Sequence, residues 1–421
     1  MHAGAAQVVG RVQCPYDSRP RAQQEFAIVW SNANTQIKLA EVSHLPRRYP
    51  KLTRSRLRLT ISRASALAVV SILATAPSAR AQDPQRADSL GTIVGLVVMK
   101  DGDLPLAYSV VSAPALERER FTNDRGVFTL ADLRPGPLRL RVRHLGYTPV
   151  DVVADVRAGA VDTVIVRLVH IAVQLTAVRV RAYAECKNPG PPQASTDSAF
   201  ATVFQQLRQN AEQYALLAST YPFEYTVERT LANTTTSGEL RVERTDTVAM
   251  RSTNRWQYEP GAVVRPEGGP RLRQREYMLH IPTLMQFADT VFLANHCFHN
   301  GGVETVEGVD LVRVDFVAAS RIKNPDVDGS MYLDPASFQI RRAFLHLSKV
   351  PRELRGLLET EATTVFAEVL PSIPIISGIS SINRIEADRK RPNAVAAWNE
   401  EQRLVSVHFL NGKPGDDVKK P

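Results

Sequence analysis

Cysteine, tryptophan and long apolar runs are scarce in this chain of 421 residues, which holds three Cys and three Trp. No apolar stretch approaches the roughly twenty residues that a membrane-spanning helix needs. Catalytic signatures are missing as well. None of the nine His is followed by Glu at the third position, which excludes the HxxE pair of a zinc carboxypeptidase site; His144 leads into LGY, His280 into IPT and His346 into LSK. There is no HExxH pair, no GxSxG nucleophile turn, no GxxxxGK phosphate loop and no GxGxxG. Ser377, Ser380 and Ser381 lie in the apolar, strand-like run ISGISSI, where packing explains them. Glu239 and Glu243 are spaced along an expected strand and read as a solvated face rather than an acid/base pair.

Clustered positive charge is also absent from most of the chain. The formal charge of +9 arises in residues 1–81, which hold 12 of the 52 Lys and Arg but 3 of the 43 Asp and Glu. The remainder carries forty of each sign and is neutral. Its densest basic run, Arg389, Lys390 and Arg391, suits a solvated loop, so no nucleic-acid partner is expected.

What is present near the start is a secretory signal. Arg54, Arg56, Arg58 and Arg63 make a positive region, Ala64 to Ala74 an apolar one, and Ala79, Arg80 and Ala81 an A-x-A site that predicts cleavage between Ala81 and Gln82. Retention as an uncleaved anchor is the alternative. Residues 1–53 stand oddly before such a signal, and no Met lies between Met1 and Met99. They read as a doubtful or disordered leader, with translation starting near Leu52 to Leu59. Cysteine usage agrees with export. Cys14 falls in the leader, so the mature chain keeps Cys186 and Cys297, and an isolated pair in an oxidising compartment is expected to form a disulfide.

From Gly91 the sequence becomes β-rich. Asn123, Asp124 and Gly126 form a turn, Val127 to Leu130 a short strand, and Ala131 to Pro137 a loop. Leu138, Leu140 and Val142 then alternate with Arg139, Arg141 and Arg143, the pattern of a strand with one face on a core and one in water. Gly146 and Pro149 end it. With GTIVGLVVM, PLAYSVVSA and the closing VDTVIVRL, these pieces resemble the carboxypeptidase regulatory-like domain over residues 91–168. That resemblance implies a seven-stranded antiparallel, transthyretin-like β-sandwich that is non-catalytic. In its family it accompanies zinc carboxypeptidases, TonB-dependent receptors and other envelope proteins.

The rest is expected as a second, larger domain. Residues 82–90 read as a linker, and 169–195 as a strand at Ala177 to Arg181 followed by a Pro-rich boundary at Asn188 to Gln193. Thr196 or Asp197 caps a helix to about Ser219, with Phe200, Val203, Phe204, Leu207, Ala211, Tyr214 and Leu217 on one face. Strands follow to residue 410, interrupted by a loop from Pro260 to Pro270, with turns signalled at Asp328-Gly329 and Asn411-Gly412 and a disordered tail at 411–421. The fold class is therefore mainly β: an antiparallel sandwich, then an antiparallel α+β domain with one main helix. The stretches VEGVDLVRVDFVA and DGSMYLDPASFQIRRAFLHL resemble lipoprotein-carrier half-barrels, which wrap a curved sheet around a helix and cradle acyl chains.

Two groups of residues are candidate sites. Arg139, Arg141 and Arg143, with Tyr147 beside them, offer charge and a ring to an anionic glycan or lipid headgroup. His296 and His299 form an HxxH pair that lacks a third ligand, and with Cys297 in a disulfide they read as loop residues, so no metal and no cofactor is expected. The sequence thus describes an exported, non-enzymatic envelope protein of the periplasm or outer membrane, with a binding or assembly role toward an envelope protein, glycan or lipid. Its rivals are a carbohydrate-binding module, a lipid or lipoprotein carrier, and a hydrolase of unrecognised type.

Overall fold

The computed structural model describes residues 10–13, 25–31, 89–172, 185–254, 256–267, 276–352, 354, 356–388, 390, 391 and 393–416. The signal segment with Ala81 and Gln82, and the strand expected at 177–181, lie outside these. In the leader the described residues are two strands, Gly10–Gln13 and Glu25–Ser31, antiparallel to each other.

Seven strands form the first unit: β1 Gly91–Met99, β2 Val110–Ala113, β3 Arg118–Phe121, β4 Val127–Leu133, β5 Gly136–Arg143, β6 Val150–Val156 and β7 Val161–Leu168. They make two facing sheets, ordered β4-β1-β7 and β3-β2-β5-β6. One pair departs from the antiparallel expectation, since β1 runs parallel to β7 from Thr92 and Val161 to Met99 and Leu168. The alternation in β5 is realised, with Leu138, Leu140 and Val142 buried among Ile93, Val97, Phe128 and Val166. The strand expected to stop at Leu130 continues to Leu133, because Asp132 adopts φ 57° and keeps the chain turning within the ladder.

The second unit opens with α1, Ser198–Thr220. Asp197 caps it, accepting a hydrogen bond from the Phe200 amide at 2.9 Å. Pro222 ends it by disfavouring helical backbone at Tyr221. Then come β8 Phe223–Thr235, β9 Leu240–Arg251, β10 Val264–Glu267, β11 Glu276–His280, α2 Thr290–Leu293, β12 His296–Val306, β13 Val309–Ala318, β14 Val327–Leu333, β15 Ile340–Leu347, β16 Leu357–Leu370, β17 Ile373–Ile385 and β18 Val395–Phe409. β10 occupies part of the expected Pro260 to Pro270 loop and pairs with β11, which also runs parallel to the second leader strand. The nine long strands form one antiparallel sheet, ordered β9-β8-β18-β17-β16-β15-β14-β13-β12. Phe200, Phe204 and Leu207 of α1 pack into its inner face against Phe298, Phe316, Leu333 and Ile379.

One turn expectation is corrected, and a further turn is added. GVETVEGVDL splits into a hairpin at Glu307 and Gly308, whose φ values of 51° and 82° meet the twist of the flanking strands. Asp328-Gly329 is no turn; both residues lie inside β14. Gly329 is needed there because a side-chain carbon would overlap the carbonyl oxygen of Phe344 and crowd Phe316. Gly329→Ala is therefore expected to lower the unfolding free energy by about 2 kcal/mol, measurable by urea titration. Residues 411–416, expected within a disordered tail, form a turn whose Gly415 lies against Asn123 of the sandwich.

Candidate functional site

The sandwich seats on the flank of α1 that faces away from the sheet, and this joint claims several residues that the sequence offered as a ligand face. Arg143 bonds Glu119 at 3.0 Å and also Glu212 of α1, so it is an inter-domain tie. Gly146 donates from its amide to Gln206 of α1 at 2.8 Å. Tyr147 is half-buried, wedged between the rings of His144 and His170 with both centroids 5.3 Å away. Arg141 pairs loosely with Asp151 at 3.8 Å, and Arg139 stays exposed. The three arginines share the outer face of β5, but Arg143 is engaged in the joint and Tyr147 packs against the sandwich core.

His144 lies at the centre of the joint. Its Nδ1 is 3.0 Å from the Ser109 hydroxyl, and its Nε2 is 3.4 Å from that of Ser372, in the turn before β17. Burial pushes its pKa down to about 4. Nearby, Tyr108, Val110 and Phe121 of the sandwich pack with Leu217, Phe223 and Ile375 in a core shared by both units.

A disulfide joins Cys186 and Cys297, with Cα atoms 5.6 Å apart. It pins the Pro-rich segment along β12, where the Gly190 amide also donates to the His296 carbonyl at 2.9 Å. His296 and His299 are strand residues, not loop residues, and an offset of three along a strand directs them to opposite faces. His296 is fully buried, its Nδ1 2.9 Å from the Phe292 carbonyl and its Nε2 3.1 Å from that of Val327. Burial lowers its pKa and that of His299. Among the described residues no three His, Cys, Asp or Glu could hold a metal ion.

The structure also assembles a feature that the sequence only hinted at. Between α1 and the inner face of the sheet, at the C-terminal end of the helix, lies a shallow open groove with a cavity volume of about 20 Å³. Tyr214 of α1, Phe223 and Tyr225 of β8, Thr283 and Met285 from the segment after β11, and Ile375 and Ile376 of β17 line it. It is a surface depression with room for about one water, and its lining is apolar with a few hydroxyls. No acid/base pair faces it. Elsewhere, Ser330 donates to Asp315, which also holds Arg313 at 2.6 Å; the carboxylate, not a histidine, is the hub of that network, so it lacks the order of a nucleophile relay.

Residues 92–169 match the carboxypeptidase regulatory-like domain, so the sandwich is a domain of that family, and a non-catalytic one. No curated protein matches the sequence. Among solved structures, a domain assigned to outer membrane lipoprotein sorting from Vibrio parahaemolyticus is 12% identical over 51% of this chain and 94% of its own, with a TM-score of 0.29. A protein described as carbohydrate binding, from Bacteroides uniformis, is 8% identical over 62% of this chain and 98% of its own, with a TM-score of 0.18. These scores are low, and function is argued from this chain's own residues.

Proposed function

We propose that this is an exported, non-enzymatic binding protein of the cell envelope, periplasmic or attached to the outer membrane, whose second domain holds the apolar part of an envelope lipid. The open groove beside Tyr214, Phe223, Tyr225 and Ile376 carries this reading. Its wall joins α1 to the sheet, and it presents rings and aliphatic chains without an acid/base pair, a surface fit to bind rather than to transform. The disulfide supports an oxidising compartment. The regulatory-like domain acts as a docked brace, because Arg143, Gly146 and His144 spend their polar groups on the joint.

The test is recovery of the native protein from fractionated cells, followed by mass spectrometry of what it carries. The expected result is protein in the envelope fraction bearing an acyl lipid at near one per chain, with the lipid lost from an Ile376→Asp variant that keeps its circular dichroism. Cytoplasmic protein free of lipid would overturn the reading.

A further inference from the structure

A second set of residues on the inner face has no part in the groove. The register of β8, β18, β17 and β16 places Leu231, Glu400, Ser381 and Ala362 in one cross-strand row. The next row holds Asn233, Trp398, Asn383 and Thr360. Directly opposed residues in antiparallel strands share a face. Ala362 belongs to the core beneath α1, so this face is the inward one.

Four buried polar atoms in these two rows have no hydrogen-bond partner among the described residues: Asn233 Oδ1, Trp398 Nε1, Ser381 Oγ and Glu400 Oε2. Asn233, Ser381 and Glu400 are 7%, 5% and 4% exposed. Folded proteins rarely leave such groups unmatched, and each instance calls for a reason. Here the unmatched atoms are held in place by their own partners. Asn233 commits its Nδ2 to Glu243 at 2.9 Å, which leaves the buried Oδ1 as an unmatched acceptor. Glu400 receives Gln402 Nε2 on Oε1 at 2.7 Å, leaving Oε2 aimed into the rows.

The chemistry they ask for is specific. Asn233 offers an acceptor, Trp398 a donor, Ser381 a hydroxyl that serves either way, and Glu400 a carboxyl oxygen. Arg229 and Asp246 alongside are bound to each other at 2.8 and 3.0 Å, and Glu243 holds the Asn233 amide at 2.9 Å, so these neighbouring charges are already engaged. Adjacent strands are about 4.8 Å apart and same-face neighbours about 7 Å apart, so the four residues span roughly 7 by 10 Å, the footprint of one or two sugar rings. The half-buried Leu231 and Trp398 form its rim, and the indole supplies an apolar ring face. We infer that Asn233, Ser381, Trp398 and Glu400 form a binding site for a neutral, hydroxyl-rich ligand, a sugar ring or polyol, distinct from both the groove and the sandwich.

Saturation-transfer NMR on the full chain tests this, with methyl glucoside, N-acetylglucosamine and octyl glucoside below its micelle concentration as probes. Signal transfer to ring protons is expected, with affinity lowered at least tenfold by Trp398→Phe and by Ser381→Ala. Arg384→Ala, on the solvent side of β17, should leave affinity unchanged. Binding of the free sugars identifies a soluble glycan source, and binding of octyl glucoside alone identifies a lipid-linked headgroup. No transfer from the wild-type protein to any of the three probes, or wild-type affinity in both site variants, would overturn the inference. Trp398→Phe removes the indole N–H and keeps an aromatic ring against the core, so a folding failure of Ser381→Ala leaves the test intact.

Discussion

Replacing both Cys186 and Cys297 by Ser should lower the unfolding free energy by about 4 kcal/mol. The bond closes a loop of 111 residues, and the chain-entropy relation gives about 4 to 5 kcal/mol for a loop of that size. The same loop contains α1, β8 and β9, so the crosslink shrinks the unfolded ensemble of the helix and of two of the sheet's nine strands. It has a local effect too. β12 is an edge strand, and the Cys186 segment lies along it, with Ser320 donating its amide to the Cys186 carbonyl at 2.8 Å. Urea titrations with and without reductant check the magnitude. The double Ser variant should match the reduced wild type, and an unchanged midpoint on reduction would count against the crosslink.

Acid should act through His144. Its pKa falls from 6.5 to about 4 on folding because burial disfavours the cation. The unfolded chain then binds a proton more readily than the folded one between these values, so stability is lost as pH falls from 6.5 to 4. At about 1.4 kcal/mol per pH unit this amounts to about 3 kcal/mol. Glu400 works in the opposite direction. Burial raises its carboxyl to about 7, with Gln402 and Arg229 acting against that shift, so its contribution is lost as pH rises from the ordinary carboxylate range through 7. The two partly cancel in the wild type, and a variant is needed to separate them. His144→Asn keeps a side chain that can bond Ser109 but cannot charge. Urea unfolding at pH 7 and pH 4.5 should show the wild type losing about 2 to 3 kcal/mol more than this variant; equal losses would mean the ring is not held neutral.

Local signals were the legible ones. Asp197 before an apolar repeat located α1 within two residues, and strict alternation located β5. A resemblance spread over the first sandwich gave its strands, and the cysteine count gave the crosslink. What failed was anything decided by distant parts of the chain. Gln206, Gln209, Asn210 and Gln213 are polar, as a solvent-facing helix flank would be, yet all four are buried, and Gln206 accepts from the Gly146 amide of the sandwich. Asn210 bonds the backbone of Phe338 and Ile340, 128 and 130 positions away. Asp328-Gly329 has the composition of a turn, but close approach by the Phe344 backbone uses the glycine inside a strand. The inner-face row likewise draws on residues 233, 381, 398 and 400, which no local pattern links. Glu400 gave no sign of burial because RLVSV beyond it alternates as an ordinary amphipathic strand.

The position of β18 has a consequence for the order of events in the living cell. The sheet's first two strands in the chain are β8 and β9, yet neither is strand-paired with the meander from β12 to β17; both are joined to it through β18, residues 395–409. A chain emerging from a ribosome or translocon cannot close this sheet until its last strand is out, and pairing β8 with β18 must bring together segments separated by well over a hundred residues. Such non-local closure is slow. While it waits, the long edges of β8 and β17 stand open to other chains, so the protein should depend on holding chaperones during synthesis and transit more than its size suggests.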